Sequence, residues 1–176
     1  MVAGSSGLQI IDYPPVPSNG TIDISVGRDS HSVLLFRIGC SQINGQVKCI
    51  SGDCPRDDCV KERPIDVTAI EYNKGTLTIS ALHGYNVGVK LVFQGSGCNC
   101  SSISCVLPLD KCLEPHKIWQ GPEETGQQRM LMACNNVTGL SLPPDQDCAM
   151  PGSYDYPPTA GTHCEFKNGI WQVIVR

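Results

Sequence analysis

The chain has 176 residues, of which 40% are hydrophobic, 17% charged and 6% aromatic, with a formal net charge of −4. That length holds one sizeable domain or two small ones, and an acidic balance without any basic run excludes a nucleic-acid partner, which needs clustered Lys and Arg. No stretch approaches the roughly 18 apolar residues of a membrane span, and the opening residues Met1 to Gly7 lack the basic and apolar regions of a signal peptide.

Residues 1–20 are expected as an extended leader ahead of a single disulfide-stabilised β domain over 21–176. The leader ends in Asp12–Tyr13–Pro14–Pro15–Val16–Pro17, where proline fixes φ and removes donors, so an interior strand is not expected there. Further on, Val33–Leu34–Leu35–Phe36–Arg37–Ile38 is strand-like, and Asn44–Gly45 is the preferred pair for a type I′ hairpin turn. Counting outward pairs Ile43 with Gln46, Gln42 with Val47, Ser41 with Lys48 and Cys40 with Cys49. The first pair is hydrogen-bonded, so alternation sets Cys40 and Cys49 at a non-hydrogen-bonded site with Cα atoms about 4.5 Å apart. A Cys40–Cys49 bridge is therefore expected, the alternative being that both cysteines face other partners across the core.

Beyond the polar loop 51–61, segments 65–72 and 76–82 form a second hairpin around the three-residue loop Asn73–Lys74–Gly75. A strand over 87–94 is expected to continue this meander, with Val87, Val89, Leu91 and Phe93 marking one buried face. The stretch 95–112 is rich in small residues and carries four cysteines, so disulfides are expected to tie it in place of a core. Residues 113–128 read as polar and turn-rich, and Met130–Leu131–Met132–Ala133–Cys134 as a short strand. A Pro- and Gly-rich stretch, 142–161, leads to a final hairpin about Asn168–Gly169, pairing Phe166 with Trp171 and Cys164 with Val173. No window carries a convincing amphipathic helix.

Cysteine is the compositional extreme, with eleven at positions 40, 49, 54, 59, 98, 100, 105, 112, 134, 148 and 164. A zinc site would show paired Cys-x-x-Cys knuckles. The spacings here are Cys54-x4-Cys59, Cys98-x-Cys100 and Cys105-x6-Cys112, with no histidine placed to complete a finger. Disulfides in an oxidising, extracellular setting are the expected use. Eleven is odd, so one cysteine is free or has its partner outside the chain.

Catalytic signatures are missing. His163 and Cys164 are adjacent, which in a strand points them to opposite faces, and no Gly-x-Ser-x-Gly elbow, phosphate loop or His-Glu-x-x-His occurs. Asp57, Asp58 and Glu62 lack the ligand spacing of a calcium loop and read as solvated. No catalysis, metal or cofactor is expected. Sequons stand at Asn19, Asn99 and Asn136. Asn99 is the least apt to be modified, because Cys100 lies at its centre, and glycans on Asn19 or Asn136 would mark solvent-facing surface. Asp–Tyr–Pro–Pro occurs at 12–15 and again at 155–158, without matching flanks that would indicate duplication.

From Cys49 to Pro158 several elements are colinear with one known family. They are the spaced Cys49, Cys54 and Cys59; Gly75–Thr76–Leu77–Thr78–Ile79; Arg129–Met130–Leu131–Met132–Ala133–Cys134; Cys148–Ala149–Met150–Pro151; and Asp155–Tyr156–Pro157–Pro158–Thr159–Ala160–Gly161. In this order the chain resembles the outer immunoglobulin-like domain of the alphavirus receptor-binding envelope glycoprotein. Residues 1–48 and the Cys98–Cys100–Cys105 cluster have no counterpart there. The resemblance implies an antiparallel sandwich on an envelope surface engaged in receptor attachment, with Cys112–Cys134 bridging neighbouring strands.

The fold expected is all-β: a disulfide-rich antiparallel β-sandwich, immunoglobulin-like, with an irregular cysteine-rich flank. The function expected is extracellular recognition of a protein or glycan receptor, with a larger assembly among the contexts considered. Tyr154, Tyr156 and Trp119 are the candidate contacts because they sit in turn-rich segments, although Trp119 equally fits a packing role. A secreted enzyme or inhibitor, with His83 or His116 beside a carboxylate, and a structural coat component are the alternatives.

Overall fold

The computed structural model describes residues 2–4, 10–11, 16–17, 19–24, 31–54, 59, 64–73, 76–96, 102–121, 129–138, 148–149, 161–163 and 168–176. Within them lie fifteen strands: Val2–Gly4 (β1), Ile10–Ile11 (β2), Thr21–Ile24 (β3), His31–Leu35 (β4), Ser41–Ile43 (β5), Gln46–Lys48 (β6), Ala69–Asn73 (β7), Thr76–Ser80 (β8), Val89–Ser96 (β9), Ile103–Cys105 (β10), Lys117–Gln120 (β11), Met130–Cys134 (β12), Cys148–Ala149 (β13), Gly161–His163 (β14) and Asn168–Val175 (β15). The only helical pieces among the described residues are two single 3-10 turns, Leu109–Lys111 and Glu114–His116. No described helix is long and apolar enough to cross a membrane. The chain is all-β.

Two large sheets share one core. The first runs in the order β13-β8-β7-β4-β1-β2, with β14 also on β8, and the second in the order β10-β9-β15-β3. Leu34, Ile70, Tyr72, Leu77 and Ile79 of the first sheet pack with Val89, Leu91, Ile103 and Val173 of the second in a single buried cluster. Among the described residues every strand pairing is antiparallel except that of β13 with β8. β8 gives one edge to β7, so β13 and β14 divide its other edge, at Ile79–Ser80 and Thr76–Thr78.

The run Val33–Leu34–Leu35 has an explanation in this layering. Leu34 faces the inter-sheet core, whereas Val33 and Leu35 join Ala69, Val67, Cys54 and Cys59 in a second buried cluster. The Cys54–Cys59 disulfide therefore sits with the residues that cover the outer face of the first sheet. A strand covered on both faces reads as a continuous apolar run, not an alternation.

Several expectations are corrected. Val2–Gly4 and Ile10–Ile11, placed by sequence in a leader, are strands of the first sheet, and β1 lies between β4 and β2 as an interior strand. β9 does not continue the meander: it leaves β8 for the second sheet, where it pairs with β10 and β15. The crossing occurs at residues 81–88. Gly84 holds φ +96°, and a Cβ there would collide with the carbonyl oxygens of Ile65 and Cys134. Gly84→Ala is accordingly expected to lower the chemical-denaturation midpoint, as both the φ and the close approach oppose a side chain. Asn73 pairs directly with Thr76, leaving two residues between strands instead of three.

The stretch 95–112 is not without a core, since Ile103, Cys105, Leu107 and Cys112 are all buried in the main cluster. Residues 117–120, expected as turn-rich, form β11 and pair with β12. The Asn168–Gly169 hairpin does not form: both residues lie inside β15, opposite Ser96 and Gly95 of β9. Trp171 pairs with Phe93 and Ile24, and Val173 with Leu91 and Ile22. An Asn-Gly pair favours a turn only where its flanks can pair with each other, and here eight residue pairs with β9 take precedence.

A buried polar node joins four segments beneath the crossover. Asn86 Nδ2 donates to Phe36 O (2.6 Å) and Ser51 Oγ (2.9 Å), while its Oδ1 accepts from Thr68 N–H (3.0 Å). The Thr68 hydroxyl donates to Val87 O (2.9 Å), and the Ser51 hydroxyl donates to Asp66 O (2.7 Å). Asp66 Oδ1 accepts from Gly52 N–H at 3.1 Å.

Burial is the largest influence on Asp66 and raises its carboxyl pKa, helped by the nearby charge of Asp53 and opposed by the Gly52 and Ser51 hydrogen bonds. A raised folded-state pKa favours the protonated acid. The associated stability is present below the unfolded carboxyl value and is lost as pH rises through the folded one. Asp66→Asn keeps an acceptor for Gly52 N–H and removes that titration. Urea midpoints measured against pH should therefore fall less for D66N than for the wild type across this acidic window; parallel curves would contradict the assignment.

Candidate functional site

The hairpin of β5 and β6 stands apart from both large sheets as its own two-stranded unit. Its register is Ser41↔Lys48, Gln42↔Val47 and Ile43↔Gln46. Asn44 and Gly45 turn it with φ values of +50° and +80°, the left-handed pair that a type I′ turn demands. Every residue from Ser41 to Val47 is exposed, including Ile43 at 52% and Val47 at 44%. Directly opposed residues share a face, so Ile43 and Val47 present one apolar side chain on each side of the hairpin.

An unsupported two-stranded hairpin is marginal in water. This one is fixed at its root. Cys40 is bonded to Cys49 with Cα atoms 3.9 Å apart. Below the bridge, Ile38 N–H donates to Ser51 O and Ile50 N–H to Ile38 O, each at 3.0 Å. Arg37, with only 11% of its side chain exposed, forms an ion pair with Asp53 at 3.1 Å and donates to Val47 O at 3.2 Å. Asp53 Oδ1 also accepts from Cys49 N–H (3.1 Å), and its Oδ2 lies 3.8 Å from Lys48 Nζ. One carboxylate thus ties Arg37, Lys48 and the bridged Cys49 together.

The second exposed element is the β11–β12 ribbon. Its pairing shifts between Ile118 and Trp119, leaving Met132 as an extra residue on β12. Such a bulge re-aims neighbouring side chains. The half-buried Trp119 ring has Lys117 Nζ 5.7 Å and Arg129 Cζ 5.5 Å from its centroid, each within cation–π range. Lys117 also pairs with Glu114 at 2.7 Å, and Met130 is 63% exposed at the ribbon's far end. Cys112 and Cys134 are disulfide-bonded. Cys134 ends β12, but Cys112 follows a 3-10 turn, so the bridge joins a strand to a turn and not two strands.

Of the sequence candidates, Trp119 is thus on a partly exposed ribbon, braced by two cations. Tyr154 and Tyr156 lie outside the described residues, as do Asp57, Asp58 and Glu62. Asn19 is exposed with φ +58°, and Asn136 is half-buried just past β12. His116 meets Asn135 Oδ1 through Nδ1 at 3.0 Å, not a carboxylate. All seven cysteines with described side chains are disulfide-bonded, leaving no thiol nucleophile among them. No group of three or more His, Cys, Asp or Glu suited to a metal ion occurs among the described residues.

The exposure of the 40–49 hairpin was not anticipated from the sequence, where only its register and its bridge were expected. The available signal was its lack of an apolar face: Ser41, Gln42, Gln46 and Lys48 leave neither side able to enter a core. No family model and no curated protein matches the chain.

Proposed function

We propose that the protein is an extracellular recognition module that binds a protein or glycan receptor without performing chemistry. The observation that carries this reading is the hairpin of residues 40–49, whose root is held by a disulfide and an ion pair and whose residues 41–47 are all exposed. Affinity favours preorganised contacts, because ordering a loop upon binding consumes interaction energy, and binding residues concentrate on loops held by a rigid frame. Ile43 and Val47 supply apolar contact, and the surrounding amides and hydroxyls supply hydrogen-bonding groups. The Trp119 ribbon is a second contact surface of the same kind, since Trp, Arg and Met are enriched at interfaces. Disulfide density supports an oxidising, extracellular location, and the likeness to the alphavirus envelope domain supports attachment as the purpose.

The test is a binding screen of the oxidised protein against arrayed cell-surface ectodomains and glycans, repeated with Ile43→Asp and Val47→Asp. Saturable binding that weakens at least about tenfold in the tip variants, a loss in the range of an interface hot spot, is the expected result. Binding unaffected by either variant would remove the hairpin from the interface. Uniform failure to bind, together with turnover of any substrate, would overturn the recognition reading.

A further inference from the structure

We infer that Asn136 is an N-glycan attachment site, with the glycan standing at the root of the β11–β12 ribbon. The sequence supplies Asn136–Val137–Thr138, the acceptor pattern. The structure adds how the three residues are divided. Val137 is fully buried in the main core, Thr138 is exposed and Asn136 is half-buried. Asn136 Oδ1 accepts from Thr138 N–H at 2.9 Å, closing a side-chain turn. The amide is thereby held by its oxygen alone, and Nδ2, the atom that would carry a sugar, makes no hydrogen bond among the described residues. A glycan on Nδ2 would displace no hydrogen bond among the described residues, and the neighbouring Val137, held in the core, keeps the Asn136–Thr138 turn in place.

The position relative to the ribbon is defined. Cys134 pairs with Lys117, and Asn135 N–H donates to His116 O at 2.9 Å. Asn136 therefore follows immediately beyond the paired end, while Gln120 and Met130 close the opposite end. A glycan there covers the ribbon's root and leaves the end bearing Met130 open. In the modification Nδ2 forms a bond to C1 of the first sugar of a polyprenyl-diphosphate-linked oligosaccharide. The C1–O bond to the diphosphate breaks, the polyprenyl diphosphate departs with the electron pair, and Nδ2 loses one proton. The inference rests on passage through an oxidising secretory compartment, and does not depend on the hairpin being the contact element.

The full chain, secreted from eukaryotic cells behind an added signal sequence, tests it by intact mass and by peptide mapping after enzymatic release of N-glycans, which converts a modified asparagine to aspartate. The wild type and Thr138→Ser should carry a glycan at Asn136. Asn136→Gln and Thr138→Ala should each lack that one glycan's mass. Thr138→Ala retains the backbone N–H that binds Asn136 Oδ1 and alters an exposed side chain, so it separates loss of the acceptor pattern from loss of fold. Unmodified Asn136 in a secreted wild type whose Cys40–Cys49, Cys54–Cys59 and Cys112–Cys134 bridges are formed would overturn the inference while leaving the extracellular reading intact, and glycan confined to Asn19 would do the same. Secreted protein with free thiols at the bridged cysteines and no glycan would overturn both.

Discussion

Asn86→Ala is expected to destabilise the protein by about 4 kcal/mol, the largest effect of any single polar substitution proposed. The side chain makes three hydrogen bonds to three separate segments, at Phe36 O, Ser51 Oγ and Thr68 N–H. Alanine would leave Thr68 N–H, which is fully buried, without its partner, and would strip Phe36 O and the buried Ser51 hydroxyl of a donor. Each unsatisfied buried group costs about 1–3 kcal/mol, and the effects compound because the groups belong to one network. Asn86→Asp separates geometry from chemistry: the shape is kept and an acceptor for Thr68 remains, but both donors are lost and a charge is buried. It should be at least as damaging at neutral pH. Denaturant midpoints with unchanged slopes measure both variants; losses below about 1 kcal/mol, the net worth of one ordinary hydrogen bond, would show that the node is not what joins the segments.

The second large effect is expected at Cys112–Cys134. The bridge spans a sequence separation of 22 and both cysteines are buried in the main core. Removing a loop closure of that length costs about 3 kcal/mol through the unfolded state, and Cys112→Ala with Cys134→Ala also leaves space in the core. The Cys40–Cys49 bridge is different in kind. Its sequence separation is 9 and it pins a hairpin whose residues 41–47 are all exposed and belong to neither large sheet. Cys40→Ser with Cys49→Ser should therefore leave the global midpoint nearly unchanged and abolish amide protection in the hairpin, a local opening. Hydrogen exchange with denaturant titration distinguishes the two. Equal global losses from both double variants would contradict the separation of hairpin from sandwich.

The sequence was most informative where local chemistry decides the outcome. Asn44–Gly45 specified the 40–49 register pair by pair, and Met130–Cys134 was legible as a strand to the residue. The inward set Val89 and Leu91 followed from alternation. What was not legible is partner choice. Nothing local to residues 87–94 says that β9 will abandon β8 for β15, because that depends on a turn at Gly84 and on a strand some eighty residues away. Asn168–Gly169 carried the same dipeptide as the true hairpin, yet longer-range pairing with β9 overrode it. Lys117–Ile118–Trp119–Gln120 lacks alternation, and its strand exists because β12 pairs with it. Trp119 lies in a strand that local sequence does not reveal, whereas the exposure of the hairpin was legible in its polar residues Ser41, Gln42, Gln46 and Lys48, which leave it no apolar face.

This β fold is pinned covalently, with one bridge at the root of the hairpin and others in the frame. Peptide mapping of the secreted protein after alkylation without reduction tests it most directly. Linked peptides are expected for Cys40–Cys49, Cys54–Cys59 and Cys112–Cys134, with no alkylation at these six or at Cys105. Alkylated Cys40 and Cys49 in natively folded protein, or zinc bound in place of the bridges, would contradict it.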